Sequence, residues 1–207
     1  MIITTTKSER TAEAIYQHAV QFYRFRRFSE VTVPMLIEGL GISKTTFYKY
    51  YASPVDLVPR MINTFCWAAE NGPDNWFILE NDMPFHLVAT LKNLVRHFEL
   101  KGWVIRIAYE IALSSTNFQP WWKFRDDCAG VYADNIARQQ ELGLIRSSVK
   151  ASDVGYQMFD LNVATYHANY WPNAMTDSED VLRQLAGVWL PVFYQMDADE
   201  ILKRIVV

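Results

Sequence analysis

Thr45, Thr46, Tyr48 and Lys49 gather hydroxyl and ammonium groups within five residues, inside the stretch Gly41-Ile42-Ser43-Lys44-Thr45-Thr46-Phe47-Tyr48-Lys49-Tyr50-Tyr51. Such donors suit phosphate oxygens and base edges, and a threonine methyl can pack on the methyl of thymine. They act together only if the backbone is a helix. At about 100° per residue, Thr45 and Lys49 then point nearly opposite Phe47, with Thr46 and Tyr48 on the flanks. Phe47 and Tyr51, spaced i,i+4, supply the inward face. Gly41 admits the positive φ of a tight turn, and Ser43 can act as N-cap, its hydroxyl accepting an orphan backbone N–H. The pattern reads as a recognition helix.

Neighbouring elements must hold that helix in place. A first helix is predicted from about Ser8 to Arg26, with Ala12, Ile15, Ala19 and Phe22 on one face and Ser8 as N-cap. The Arg24, Arg26, Arg27 cluster at its end suits the helix dipole, and either solvation or phosphate contact accounts for it. Thr32 opens a second helix, Val33 to about Leu40, in which Pro34 is tolerated because first-turn N–H groups lack acceptors. Ser53-Pro54-Val55-Asp56 combines N-cap, first-turn proline and capping-box acid, and predicts a long helix through Leu57, Met61, Phe65 and Ala69. Beyond Asn71-Gly72-Pro73-Asp74 the periodicity is helical throughout. Helices are predicted at about Asp82–Leu100, Gly102–Ser114, Gln119–Leu142, Ser152–Tyr170 and Asp177–Met196. The fold class is therefore all-α, with a three-helix helix-turn-helix head at 1–53 and an antiparallel helical body at 54–207.

Charge divides along the same line. Residues 1–60 carry eight Lys/Arg against five Asp/Glu, a net of +3, whereas residues 61–207 carry 12 against 18, a net of −6. A basic head on an acidic body predicts that only the head meets a polyanion. No apolar run approaches the ~18 residues of a membrane span. Residues 1–7 lack the charged-then-apolar build of a signal peptide, so a cytoplasmic protein is expected. Cys66 and Cys128 have no metal-ligand spacing and are expected as buried reduced thiols. No nucleophile elbow, phosphate loop, HExxH or paired-carboxylate motif is present, so neither catalytic residues nor a metal or other cofactor are expected. His18, His86, His97 and His167 are scattered; the 11 residues between His86 and His97 would set them three turns apart on one helix.

Residues 28–57 resemble the DNA-binding head of the TetR family of transcriptional regulators. The likeness lies in Phe28, Thr32-Val33, Leu36, Gly41-Ile42-Ser43-Lys44, Thr46-Phe47-Tyr48, Tyr50-Tyr51, Ser53 and Leu57. Pro54 stands where the family usually has a phosphate-contacting lysine, and Ile37 replaces a customary small residue where the two helices cross. The resemblance implies a homodimer on palindromic double-stranded operator DNA. Its contacts would be Thr45 and Lys49 nearest the bases, Lys44 at base or backbone, Thr32, Tyr48 and Tyr50 on phosphates, and Ser43 and Thr46 within the inserted segment.

The C-terminal half resembles the branch similar to the mycobacterial ethionamide-resistance repressor. The matching stretches begin at Trp122, Gln139–Ile145, Leu161-Asn162 and Asp177–Val181, the last running to Trp189-Leu190 and Tyr194. That branch has an apolar tunnel, whose lining would correspond to Phe98, Trp122, Asn162, Thr165, Tyr166, Tyr170 and Trp189. This chain departs from it at Thr165-Tyr166-His167, so a polar anchor for the ligand has changed. Aromatics at helical spacing also simply fill cores, and both readings stand for the body's tryptophans. Apolar stripes of Val154, Met158, Leu161, Thr165 and of Val181, Leu185, Val188, Val192 form either the implied dimer face or ordinary intrachain packing. The reading is a repressor released by a small, mostly apolar effector. A constitutive DNA-binding or scaffold protein with no pocket, and an α-helical enzyme assembled from distant residues, are the alternatives.

Overall fold

The structure is a computed structural model that describes residues 6–65, 76–77, 82–115, 117–145, 150–170 and 177–205, and every regular element among the described residues is helical. Two compact units divide the chain: Met1–Phe65 with Trp103–Trp121, and Cys66–Gly102 with Trp122–Val207.

In the first unit, α1 spans Lys7–Tyr23. Its cap is Thr6, not Ser8: Glu9 N–H donates to Thr6 Oγ1 at 3.2 Å and Thr6 N–H to Glu9 Oε2 at 2.7 Å, a reciprocal box that Ser8 cannot make. The helix ends before Arg26 because Arg106 Nη2 donates to the carbonyls of Tyr23 and Arg26, satisfying groups that another turn would have used. A short α2, Val33–Ile37, gives way to a turn with Gly39 at φ +75° and Gly41 at φ +65°. Then come α3 at Lys44–Tyr50, a 3₁₀ turn at Pro54–Leu57 and α4 at Val58–Thr64.

The single long helix expected after Ser53 is thus broken at its start. Pro59 has no N–H for the carbonyl of Val55 and its ring crowds that group, so the first turn tightens to 3₁₀. The expected continuation to Ala69 lies outside the described residues. Helix α6, Trp103–Ser114, packs on α1 and α4. The unit that holds the helix-turn-helix is therefore larger than the 1–53 expected, because residues from 54 to 65 and from 103 to 121 share its core.

The second unit contains α5 (Met83–Lys101), most of α7 (Gln119–Glu141), α8 (Ala151–Tyr170), α9 (Ser178–Tyr194) and α10 (Ala198–Ile205). Helix α9 packs along α5, and α10, unexpected from its acidic start, covers both by burying Ile201 and Leu202. Helices α7 and α8 are joined by Arg125, whose Nε and Nη2 donate to Asp160 at 2.8 and 2.6 Å while its guanidinium lies 4.6 Å over the Tyr156 ring.

The two predicted stripes are only partly outward. Val154, Met158, Val181 and Leu185 are buried inside the chain, because each helix packs on more than one neighbour. The exposed face instead carries Ala164 and Ala168 of α8 and Gly187, Val188, Pro191 and Val192 of α9. Cys128 is half-buried, and Cys66 lies outside the described residues.

Close approach of α7 and α8 requires a glycine. A Cβ on Gly155 would sit 2.4 Å from the Ala129 carbonyl oxygen and 3.0 Å from the Ala133 nitrogen, both backbone. Gly155→Ala is expected to force the helices apart and cost roughly 1–3 kcal/mol of stability, read by urea denaturation.

Candidate functional site

Seven residues are too few for a helix to persist alone in water, so α3 exists because it is packed. Phe47 is fully buried, with Tyr51 tilted against it at 5.8 Å and Tyr48 edge-on at 5.4 Å. Ser43 caps the helix as expected: its Oγ accepts the Thr46 N–H at 3.1 Å. The Thr46 hydroxyl lies 3.1 Å from the same oxygen, which turns this half-buried side chain toward the cap.

The opposite face is open. Ser43, Lys44, Thr45, Tyr48 and Lys49 are exposed, as is Thr32 at the start of α2. Thr32 occupies the N-cap position but makes no side-chain cap bond. Tyr50 is half-buried, with its hydroxyl 3.4 Å from Ser8 Oγ. Among the described residues no carboxylate pairs with Lys44 or Lys49. The exposed surface of α3 thus presents the Thr45 and Tyr48 hydroxyls and the Lys44 and Lys49 ammonium groups.

What holds that surface still is spread along the chain. Tyr51 Oη donates to the Ala12 carbonyl at 3.1 Å, tying the end of α3 to α1. His18 Nδ1 lies 3.1 Å from the Leu36 carbonyl, tying α1 to α2. Arg60 of α4 bridges Glu13 at 2.7 Å and stacks 3.8 Å over Tyr16, and this bridge holds the Glu13 carboxyl below its usual pKa. Glu110 accepts the Phe28 and Ser29 N–H groups at 2.9 and 3.1 Å, beside the carbonyls that Arg106 takes. Arg106 and Glu110 lie some 80 residues from the backbone they clasp. Their only trace in the sequence was a charged pair four apart on an otherwise apolar helix.

The seven body residues do not form one cluster. Phe98 of α5 meets Tyr166 of α8 at 5.1 Å, and Tyr166 stacks on Tyr170 at 5.6 Å. Asn162, one turn away and buried, donates from Nδ2 to Tyr132 Oη at 3.2 Å, and its Oδ1 has no partner among the described residues. Burial pushes the Tyr132 phenol well above its usual pKa. Trp189 is buried on α9, stacked on Phe193 at 5.6 Å, and its indole N–H has no partner among the described residues. Thr165 is half-buried, and its carbonyl accepts from Asn169 Nδ2 at 2.9 Å. Trp122 is 37% exposed and stands at the surface. An open cleft of about 560 Å³ exists elsewhere in this unit, lined by Asp82–Pro84, Gly143–Ile145 and Phe193–Met196. None of the seven lines it.

No protein-family profile matches the chain. It is 24% identical over 192 residues to the HTH-type transcriptional regulator EthR of Mycolicibacterium smegmatis, covering 87% of this chain and 85% of that protein. Its fold is similar to that of a TetR-family transcriptional regulator from Syntrophomonas wolfei, with a TM-score of 0.68 at 15% identity over 89% of this chain and 95% of that one. It is also similar to a gamma-butyrolactone receptor, an ArpA-like protein, with a TM-score of 0.58 at 12% identity over 97% and 95% of the two chains. Near full-length likeness in sequence and in fold joins the motif at residues 28–57. The chain has the fold of TetR-family regulators.

Within this head, Pro54 opens the 3₁₀ turn whose box is closed by Ser53 N–H donating to Asp56 Oδ2 at 3.0 Å. A proline there orders the turn without offering a cation. Charge on α3 then rests on Lys44 and Lys49. Lys49→Ala is expected to weaken DNA binding and lower the slope of log affinity against log salt by about one, measured by fluorescence anisotropy. Ser43→Ala should cost about 1 kcal/mol of stability through the lost cap, read by thermal unfolding.

Proposed function

We propose that the chain is a homodimeric, ligand-responsive transcriptional repressor that binds palindromic operator DNA through α3. One observation carries the DNA reading: Phe47 is fully buried while Thr45 and Lys49, on the opposite face, are exposed. In this reading Ser43–Tyr50 enters the major groove, Thr45 and Lys49 read bases, and Lys44, Thr32, Tyr48 and Tyr50 meet base or backbone. Two copies reading half-sites about one helical turn apart multiply affinity. Footprinting the purified protein on the DNA that flanks its own gene tests this. Two protected half-sites related by a dyad are expected, and no protection anywhere would sink the reading.

The partner copy would sit on the exposed face of α8 and α9. Gly187 on that face has no heavy atom within 4 Å of where a Cβ would stand, which leaves room for a facing helix to approach. Ala164, Ala168, Val188, Pro191 and Val192 surround it with small or apolar surface.

The effector reading concerns the body interior. Asn162 Oδ1 and the Trp189 indole N–H are a buried acceptor and a buried donor among aromatic rings, which suits a mostly apolar molecule with one or two polar groups. Such a ligand releases DNA only if it binds the DNA-incompetent state more tightly. The direct Phe98–Tyr166–Tyr170 ring contacts favour the rival, a regulator whose body is already filled. Thermal unfolding with a panel of lipophilic compounds separates the two, since only the first predicts a rise in Tm.

Val188→Glu would bring two carboxylates together across a two-fold axis. Leaving buried charges uncompensated costs about 3–5 kcal/mol, so sedimentation velocity should show monomer at micromolar concentration. Unchanged dimer would assign the interface elsewhere.

A further inference from the structure

Trp76 is bound by the second unit as a ligand would be. It lies on the connection between α4 and α5, and its side chain is fully buried. Its polar groups are met by side chains of three distant helices and not by local backbone. The Trp76 N–H donates to Thr90 Oγ1 of α5 at 2.9 Å, and its carbonyl accepts from Asn135 Nδ2 of α7 at 3.1 Å. The indole Nε1 donates to Tyr194 Oη of α9 at 2.7 Å, and that hydroxyl donates onward to Gln139 Oε1 at 2.6 Å. Phe193 stacks on the indole at 5.4 Å with 30° between planes.

Three features mark these partners as a recognition site and not simple filling. Thr90, Asn135 and Gln139 are polar side chains at most 4% exposed, which helical cores avoid unless something repays their desolvation. Second, Trp76 does not use them up: Asn135 Oδ1 and Gln139 Nε2 are buried without partners among the described residues, leaving one acceptor and one donor for a larger guest. Third, the site adjoins the open cleft of about 560 Å³, because Phe193 and Tyr194, which stack on and bond the indole, also line it.

We propose that Trp76 is a resident self-ligand, and that this site takes a planar aromatic amide of the indole class, which enters through the cleft and displaces it. The proposal goes beyond the effector reading above: it uses Thr90, Asn135 and Tyr194 and not Asn162 and Trp189, and it names the ligand class. Stacking selects a flat ring, Tyr194 Oη selects a ring N–H, and Thr90 with Asn135 selects an amide by its N–H and its carbonyl. A free chain would keep the site occupied by Trp76, so a guest must outcompete a group held at high effective concentration. Millimolar affinity for a simple mimic follows for the wild-type protein, and tighter binding once Trp76 is removed.

The test needs no DNA, so its failure and that of the operator reading are distinguishable. Full-length Trp76→Ala is titrated with N-acetyl-tryptophanamide during thermal unfolding, with N-acetyl-alaninamide as control. A rise of several degrees in Tm with the indole amide alone is expected, and Tyr194→Phe in the same background should raise the Kd about tenfold. A folded Trp76→Ala protein whose Tm the indole amide leaves unmoved overturns the proposal. Should that variant fail to fold, the wild-type protein is labelled with 5-fluorotryptophan and its Trp76 resonance assigned with Trp76→Phe. That ¹⁹F resonance must then move toward the free-indole position at millimolar probe, and one that stays in place overturns the proposal equally.

Discussion

Burial of Phe47 is the constraint on which the exposed surface of α3 depends. A fully buried phenylalanine contributes about 1.5–3 kcal/mol, enough to hold a helix of seven residues that would otherwise melt. Because one face of α3 is committed inward, the opposite face is fixed outward, and Thr45 and Lys49 inherit their exposure from Phe47. The cap at Ser43 and the positive-φ turn at Gly41 set where the helix begins. Arg106 and Glu110, clasping the backbone around Tyr23–Ser29, then hold the helices on which α3 packs. The head is in that sense not a separate piece of sequence: part of its frame arrives some 80 residues later.

The second unit solves a different problem. Its core contains Thr90, Asn135, Gln139 and Asn162 among large aromatics. Hydrogen-bonded polar groups inside a helical body cost less than orphaned ones, and they also specify which shapes fit. Trp76 bonds Thr90 and Asn135, and Asn162 bonds Tyr132, whose ring lies 6.1 Å from that of Phe77. Aromatic stacking from Trp76 through Phe193 to Trp189 links the first set to α9. The interior is therefore a continuous aromatic array with polar groups at fixed points along it.

Local signals were legible where the controlling residues are close in sequence. The cap at Ser43, the Ser53–Asp56 box and Gly41 before α3 stand where local spacing puts them, and the starts and stops of α5 to α9 lie within two residues of it. Errors arose where two local signals competed. Ser8 lost to the Thr6–Glu9 box, and the helix expected through Leu57 broke because Pro59 lies inside it. Helix α10 was missed because the acidic run from Asp197 to Glu200 masks a two-residue apolar anchor, Ile201-Leu202, that matters only against α5 and α9.

Sequence alone determined the all-α class, the helix-turn-helix, the outward face of α3 and the family resemblance. Helical periodicity, caps and a short motif are local properties, written within a few residues. Only the tertiary structure decided which apolar stripe is spent inside the chain, that α6 belongs with the head, and that Trp122 lies at the surface while Trp76 is clasped by three helices. Periodicity says that a residue faces something, but not what it faces. The partners of Trp76 are 14 to 118 residues away, and nothing in their local spacing says that they meet.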